Sequence, residues 1–381
     1  MNERSLEFLK KEFKWYYYYK DDEIEEPKRI EEREFGYMPF SKGMIRHLSL
    51  KSRGELIALL LREVPAGVYC SCSYYLSPHL PMGEKGWKGS DLIFDIDADG
   101  LNSPCKTEHD RWICKNCGFN AFGKRPELCP NCNSLKIEEI SWSCDLCMNK
   151  AKEEVLKLLE ILEEDFGLSR KEIQIYFSGN MGYHIQVQSP LIEELNQDGR
   201  NEIVDYLSCK GLNIEKLGFV RGLRYDEILQ RLSNLDYYGW GRRLLKFFEN
   251  NYNGNPTIKL AEMLSKEGYK KFSKALKDLF DQLSVKIDRE VTIDLHRIFR
   301  LPGSLHQRSG LIKKKVNDLD YFDPYDDTCP FNDEPVKIRI SFSPKFRLKG
   351  KEFGPYKNET LTLPKYACLF LVARGVAEVE G

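Results

Sequence analysis

The chain holds 381 residues, 41% of them hydrophobic and 12% aromatic, enough to bury a sizeable core and too many for wholesale disorder. Its 58 Lys and Arg against 59 Asp and Glu leave a net charge of -1, so a polyanion partner must be met by local basic patches rather than by a global field. The start, MNERSLEFLKKEFKWYYYY, has no apolar signal core and the longest aliphatic run, 56–61, is too short for a bilayer, so no membrane role is expected and the cytoplasm is the expected compartment.

Residues 1–40 form a charged, Tyr-rich lead-in whose acidic run, DDEIEEPKRIEERE, is expected to be a solvated helix or loop. Residues 44–61 carry a basic stretch, MIRHLSLKSR, into an apolar helix-like run. The segment DLIFDIDADG follows, expected as a strand over 91–98. A strand sends alternate side chains to opposite faces, so Leu92, Phe94, Ile96 and Ala98 share one face and Asp95, Asp97 and Asp99 the other. Carboxylates so placed stand about 6–7 Å apart along the strand and repel unless a cation lies between them. Such pairs hold the divalent ions of phosphoryl transfer, usually with a third carboxylate, for which Asp288 and Asp294 are the candidates. A solvent-facing strand edge blunted by charge would read the same.

Seven of the twelve cysteines fall between Cys105 and Cys147. In a long chain without a signal sequence such clustering points to metal ligands rather than disulfides. Cys114-x2-Cys117 and Cys129-x2-Cys132, eleven residues apart, have the spacing of a four-thiolate zinc ribbon. Cys105, His109, Cys144 and Cys147 bracket it and could complete a second tetrahedral site; the alternative is free thiols and a surface histidine. Neither set leaves a coordination position open, so both are expected to be structural.

An amphipathic helix is predicted at 150–166, with Val155, Leu158, Leu159, Leu162 and Phe166 at helical spacing and Gly167 as a stop. A hairpin comes next: a strand at 173–177, the turn SGNMG at 178–182, and a strand at 183–188 with His184, Gln186 and Gln188 on one face. The flexible turn lets backbone amides approach an anion, and His184 could donate to a phosphate oxygen, although a hairpin with a satisfied histidine reads the same. Residues 190–285 are mainly helical and hold no chemical motif. HRIFRLPGSLHQRSG then gathers His296, Arg297, Arg300, Ser304, His306 and Arg308. Arginine suits bidentate phosphate binding. A solvated basic loop is the plainer alternative, against which three of the six histidines lie in this motif and the hairpin. The mixture of hairpins, non-alternating helices and an embedded metal segment points to an α+β fold.

Taken in order, FDIDAD, SGxxGxH and RxPxSLH resemble the catalytic motifs of the small subunit of archaeo-eukaryotic DNA primases. MPFSKGMIRHLS, KGWKGSDLIFDID and the closing FLVARGVAEVE resemble the archaeal branch, and the likeness covers 33–311 plus that tail. It implies a primase-like catalytic core with a mixed sheet, split into 1–189 and 286–381, with a zinc-binding module inserted at 104–148 and a helical subdomain at 190–285. It also implies that Asp95, Asp97 and Asp288 bind two catalytic Mg²⁺ or Mn²⁺ ions, Asp294 fitting less well inside TIDLHR. The triphosphate contacts carry over to Ser178, His184, Arg300 and His306, with Arg46 added. The implied activity is de novo synthesis of short primers on single-stranded DNA from nucleoside triphosphates, in a heterodimer with a large primase subunit. Members of that family often carry an arginine in the SGxxG turn, where this chain has Asn180 and Met181, which leaves that triphosphate contact without its usual side chain. A metal-dependent nuclease would share the aspartates, and a zinc-ribbon regulator that binds nucleic acid without catalysis would share the cysteines.

Overall fold

The computed structural model describes residues 1–41, 43–233 and 238–380; Lys42 of the MPFSKGMIRHLS segment and 234–237 of the expected helical region lie outside the described residues. Helix α1 (Glu3–Tyr19) opens the chain, capped by Asn2, whose side chain accepts from the Ser5 N–H at 2.8 Å. Its Leu9, Phe13, Tyr16 and Tyr17 fall on one helical stripe and are all buried. After an exposed turn at Asp21–Glu23, Ile24 and Ile30 are buried, and 33–38 form a core strand. The helix and strand of the lead-in are therefore part of the core, while the acidic run between them keeps the solvated, loop-like course expected of it, with Asp22, Glu23, Glu26 and Glu31 exposed. The high charge of the lead-in sits on the outer faces of elements whose inner faces are apolar.

Strands β1 (Arg33–Met38) and β2 (Ile45–Ser49), helix α2 (Arg53–Glu63), and strands β3 (Gly67–Tyr75), β4 (Trp87–Ser90) and β5 (Leu92–Asp97) come next. The cysteine segment folds as α3 (Lys106–His109) and a small sheet of β6 (Arg111–Cys114), β7 (Asn120–Phe122) and β8 (Ile137–Ile140), in the order β7-β6-β8. Helix α4 (Asp145–Glu164) leads into the hairpin β9 (Ile173–Phe177) and β10 (Gly182–Val187). Five helices follow: α5 (Gln197–Leu207), α6 (Tyr225–Ser233), α7 (Gly239–Asn251), α8 (Pro256–Glu267) and α9 (Tyr269–Leu283). The chain then runs through α10 (Arg289–Ile293), β11 (Ile298–Arg300) and β12 (Lys314–Lys315). It closes with β13 (Pro335–Ser343), β14 (Phe346–Leu348), β15 (Lys351–Phe353), β16 (Tyr356–Pro364), α11 (Lys365–Ala373) and β17 (Ala377–Val379).

Two sheets position the site. One runs β11-β3-β1-β2 with β4 added on β3, the other β12-β9-β10-β5. Every pairing among the described strands is antiparallel, so two antiparallel sheets stand where one mixed sheet was expected. The β9–β10 hairpin shows why: a tight turn makes antiparallel neighbours without the crossover that a parallel pair needs.

Leu92, Phe94 and Ile96 of β5 and Ile185 and Val187 of β10 are buried in one core with Val155, Leu158 and Leu162 of α4. Burying that stripe fixes which way the strand's other face points. Helix α5 also docks on this region, since the buried Arg200 donates to the carbonyls of Ser90 and Asp91 at 3.1 and 3.0 Å. The cysteine module packs against the C-terminal part through ring contacts of Phe122 with Phe342 and of Trp142 with Phe346 and Phe370. No helix among the described residues is long and apolar enough to cross a membrane.

Candidate functional site

The acidic strand and the hairpin form one ladder. Asp95 pairs with His184 and Asp97 with Gly182. His184 Nε2 lies 3.5 Å from Asp95 Oδ1, and both side chains are largely shielded from solvent. Asp95 Oδ1 and His184 Nδ1 are buried and have no hydrogen-bond partner, the mark of a site that completes its bonding with something outside the chain. Asp288 joins them because its N–H donates to the Asp95 carbonyl at 3.0 Å, and its carboxylate caps α10 by accepting from the Val291 N–H at 3.3 Å.

Restricted hydration, then the charges of Asp97 and Asp288, push the Asp95 carboxyl well above the usual carboxylate range. The Asp97 carboxyl is pushed up to about 6, by restricted hydration first and then by Asp99 and Asp288. Asp294 does not take part; its carboxylate accepts from the His296 N–H at 2.8 Å. Asp99, expected on the same strand face, falls beyond the end of β5 in an exposed turn, because the chain bends at 98–100 and the alternation stops.

Gly182 lets β10 come this close. A Cβ there would overlap the Ile96 carbonyl and the Asp97 carboxylate and stand 2.9 Å from Asp97 Cα. In the turn before it, Ser178 N–H donates to the Gly182 carbonyl at 2.8 Å, and Ser178 Oγ accepts from the Asn180 N–H at 3.4 Å.

Beside the aspartates, between the two sheets, lies a polar cavity of about 200 Å³ whose lining includes His184, Gln186, Tyr176, Arg300 and Lys313. Phe299 touches His184, ring centroids 5.6 Å apart. Arg300, one residue on, therefore sends its guanidinium to the opposite strand face. There it donates to the Leu305 carbonyl at 3.0 Å, to Tyr69 Oη at 3.1 Å, and to Gln307. Gln186 and Gln188 donate to Asp91 at 2.7 and 3.2 Å, and Asp91 forms a fully buried ion pair with Arg33 at 2.8 Å.

Lys313 and Asp91 were not singled out from the sequence. Lys313 hides in a run of three lysines, and only burial distinguishes it: it is 3% exposed, with Nζ donating to the Arg300 carbonyl at 2.8 Å. Burial and the neighbouring Arg300 push its ammonium down to about 7.

His306 stands over Gly179 of the turn, and its Nδ1 accepts from the Arg308 N–H at 3.1 Å. Burial and then Arg300, Arg374 and Arg308 hold its pKa well below the usual histidine range. The same holds for His184, through burial and then Lys313, Arg300 and Arg297. Arg46 lies apart from the cavity lining, ion-paired with the buried Glu34 at 2.9 Å and donating to the His296 carbonyl at 3.0 Å.

Both cysteine groups converge. Cys114, Cys117, Cys129 and Cys132 bring their sulfurs within 4.8 Å of one another, and so do the ligand atoms of Cys105, His109, Cys144 and Cys147. In the second group His109 Nε2 lies 3.3 Å from Cys147 Sγ, while Nδ1 meets Asp110 Oδ1 at 2.9 Å, the carboxylate–imidazole support common behind metal-binding histidines. The three aspartates are not drawn together to that distance, as expected of mutually repelling carboxylates.

The sequence model of one family, described as DNA primase small subunit, matches residues 129–330. The chain is 41% identical to the DNA primase small subunit of Nitrosopumilus maritimus (strain SCM1), over 100% of both chains. It is 38% identical to that of Cenarchaeum symbiosum (strain A) over 99% of each, and 34% identical to that of Archaeoglobus fulgidus over 98% of each.

Proposed function

The chain belongs to the family of DNA primase small subunits, nucleotidyltransferases of DNA replication, and from that premise we propose that it synthesises short primers de novo on single-stranded DNA from nucleoside triphosphates. One observation supports this most strongly. The buried Oδ1 of Asp95, which accepts no hydrogen bond, is grouped with Asp97, Asp288 and His184, and His184 itself lines the polar cavity that holds Lys313.

Asp95, Asp97 and Asp288 offer an all-oxygen donor set that suits Mg²⁺ or Mn²⁺. Two such ions, when bound, supply activation of the primer 3′-hydroxyl and neutralisation of the departing pyrophosphate. The side chains around them grip the triphosphate. His306 accepts at Nδ1, so its neutral ring carries the proton on Nε2 and donates it to a phosphate oxygen. Ser178 and the amides of the turn supply further donors, and His184 places its ring between the aspartates and the cavity. Arg300 contributes charge while its guanidinium fixes the loop that carries His306. Arg46, held by Glu34, adds a nucleotide contact.

One cysteine group provides four thiolates and the other three thiolates and an imidazole, each with no open position, which fits structural zinc and a role in bracing a template or partner surface. The family implies a large primase subunit as partner, and we place the pair in the cytoplasm. The core is read as 1–189 and 286–381, with 104–148 as the zinc module and 190–285 as an accessory helical subdomain.

Incorporation of labelled nucleotide and release of pyrophosphate on an unprimed single-stranded template test the reading. Template degradation without pyrophosphate release would identify a nuclease instead.

A further inference from the structure

The turn SGNMG carries no basic side chain of its own, yet one reaches it from the far end of the chain. Arg374, just past α11, donates from Nη2 to Asn180 Oδ1 at 3.3 Å. Its guanidinium lies over the rings of Trp142 and Phe370, 4.7 and 4.2 Å from their centroids, and this holds the flat head in place. Its Nε is buried and has no partner. An unsatisfied guanidinium nitrogen is costly in a finished interior and useful where a ligand supplies the acceptor.

The charges around it point to the ligand's class. Arg374 and Arg308 both act on His306, and Arg308 acts on Arg374. Among the described residues neither arginine forms an ion pair. Basic groups gathered without a carboxylate favour a polyanion.

We propose that Arg374 is a phosphate-binding residue of the nucleotide site, occupying from the C-terminal helix the place left by Asn180 and Met181 and gripping the triphosphate of the incoming nucleotide. This rests on the primase reading above. Its seat is built on the metal module: the backbone N–H of Trp142 donates to Asp110 Oδ1 at 2.9 Å, and Asp110 supports His109.

The test measures equilibrium binding of a non-hydrolysable nucleoside triphosphate, inorganic tripolyphosphate and the bare nucleoside. Arg374→Met is expected to weaken both polyphosphates roughly ten- to a hundredfold, as for loss of a charge-assisted contact, and to leave nucleoside binding unchanged. Arg374→Lys should retain part of the affinity. Adding Asn180→Arg to Arg374→Met should restore polyphosphate binding, because it puts the charge back on the turn without rebuilding the Trp142 seat. Unchanged tripolyphosphate affinity in Arg374→Met would overturn the proposal, and so would a loss shared equally by the nucleoside and unrescued by Asn180→Arg. Wild-type incorporation on unprimed template is run alongside. Its absence would sink the primase reading, whereas its presence with full polyphosphate affinity in Arg374→Met would sink the role of Arg374 alone.

Discussion

His184 Nε2 faces Asp95 Oδ1 at 3.5 Å across the β5–β10 ladder, so the acidic strand and the SGNMG hairpin are opposite sides of one strand pair. The register that makes this contact also sets Asp97 against Gly182. A slip of one residue would turn both aspartates into the core, which is why the buried face of β5 is as much a part of the site as its polar face.

Asp95→Asn and Asp97→Asn are each expected to abolish primer synthesis without unfolding the protein. Asn keeps the shape of Asp but removes one ligand charge, for a loss on the order of a thousandfold in rate, about 4 kcal/mol of barrier. In EDTA the variants should melt no lower than wild type, because one repulsive charge has gone. Their gain in melting temperature on adding Mn²⁺ should shrink. Near-normal nucleotide incorporation by either variant would move the catalytic centre elsewhere.

Gly182→Ala tests the register from the other strand. The added methyl meets backbone at Ile96 and Asp97, which cannot rotate away, so β10 must shift from β5. Synthesis is expected to fall at least tenfold with Mn²⁺ affinity weakened, and stability to drop by about 1–3 kcal/mol, the usual cost of overpacking. Wild-type Mn²⁺ affinity in this variant would show that the close approach does not position Asp97.

What the sequence made legible was the local pattern. The alternation of FDID at 94–97, the hairpin at 173–188 and the cysteine spacings each depend on neighbours a few residues away, and those neighbours set strand faces and ligand reach. What it hid was long-range. Lys313 looks like its neighbours Lys314 and Lys315 until a second sheet closes over it. Arg374 meets Asn180 only because α11 packs back on the core. The opposite faces of Phe299 and Arg300 follow from strand alternation, but that a three-residue strand forms there depends on its pairing with β3.

The two cysteine groups should separate in their consequences. Cys114 and Cys129 belong to a small satellite cluster with Trp112 and Ile137, whereas Cys105 and Cys147 are continuous with the main core. Elemental analysis is expected to find two zinc ions per chain, falling to one in Cys114→Ser and one in Cys147→Ser. Only Cys147→Ser should lower the global melting temperature markedly, since its site anchors the start of α4 and the Trp142 seat. A fully folded protein with no bound metal would refute both assignments.

Lys313 gives the site a pH dependence of defined sign. Its ammonium titrates at about 7 in the folded protein against an ordinary value of 10.5, because burial and Arg300 oppose the charge. Below about pH 7 the lysine is charged in both the folded and unfolded chain, and the cost of burying that charge is fully present. As pH rises from there towards the ordinary value, the folded protein sheds the proton while the unfolded chain keeps it. Wild type should therefore gain stability over Lys313→Met across that window and lose the advantage as pH falls through it.

Triphosphate binding should run the opposite way. A polyanion beside Lys313 favours the charged form, so above about pH 7 binding must take up a proton, and affinity should fall as pH rises. Lys313→Met should bind nucleotide more weakly and with a flatter pH profile. Calorimetry in two buffers of different ionisation enthalpy reads the proton uptake directly. Equal uptake by wild type and Lys313→Met at about pH 8 would show that Lys313 is only a structural donor to the Arg300 carbonyl, and that the cavity's charge toward the triphosphate comes from other groups.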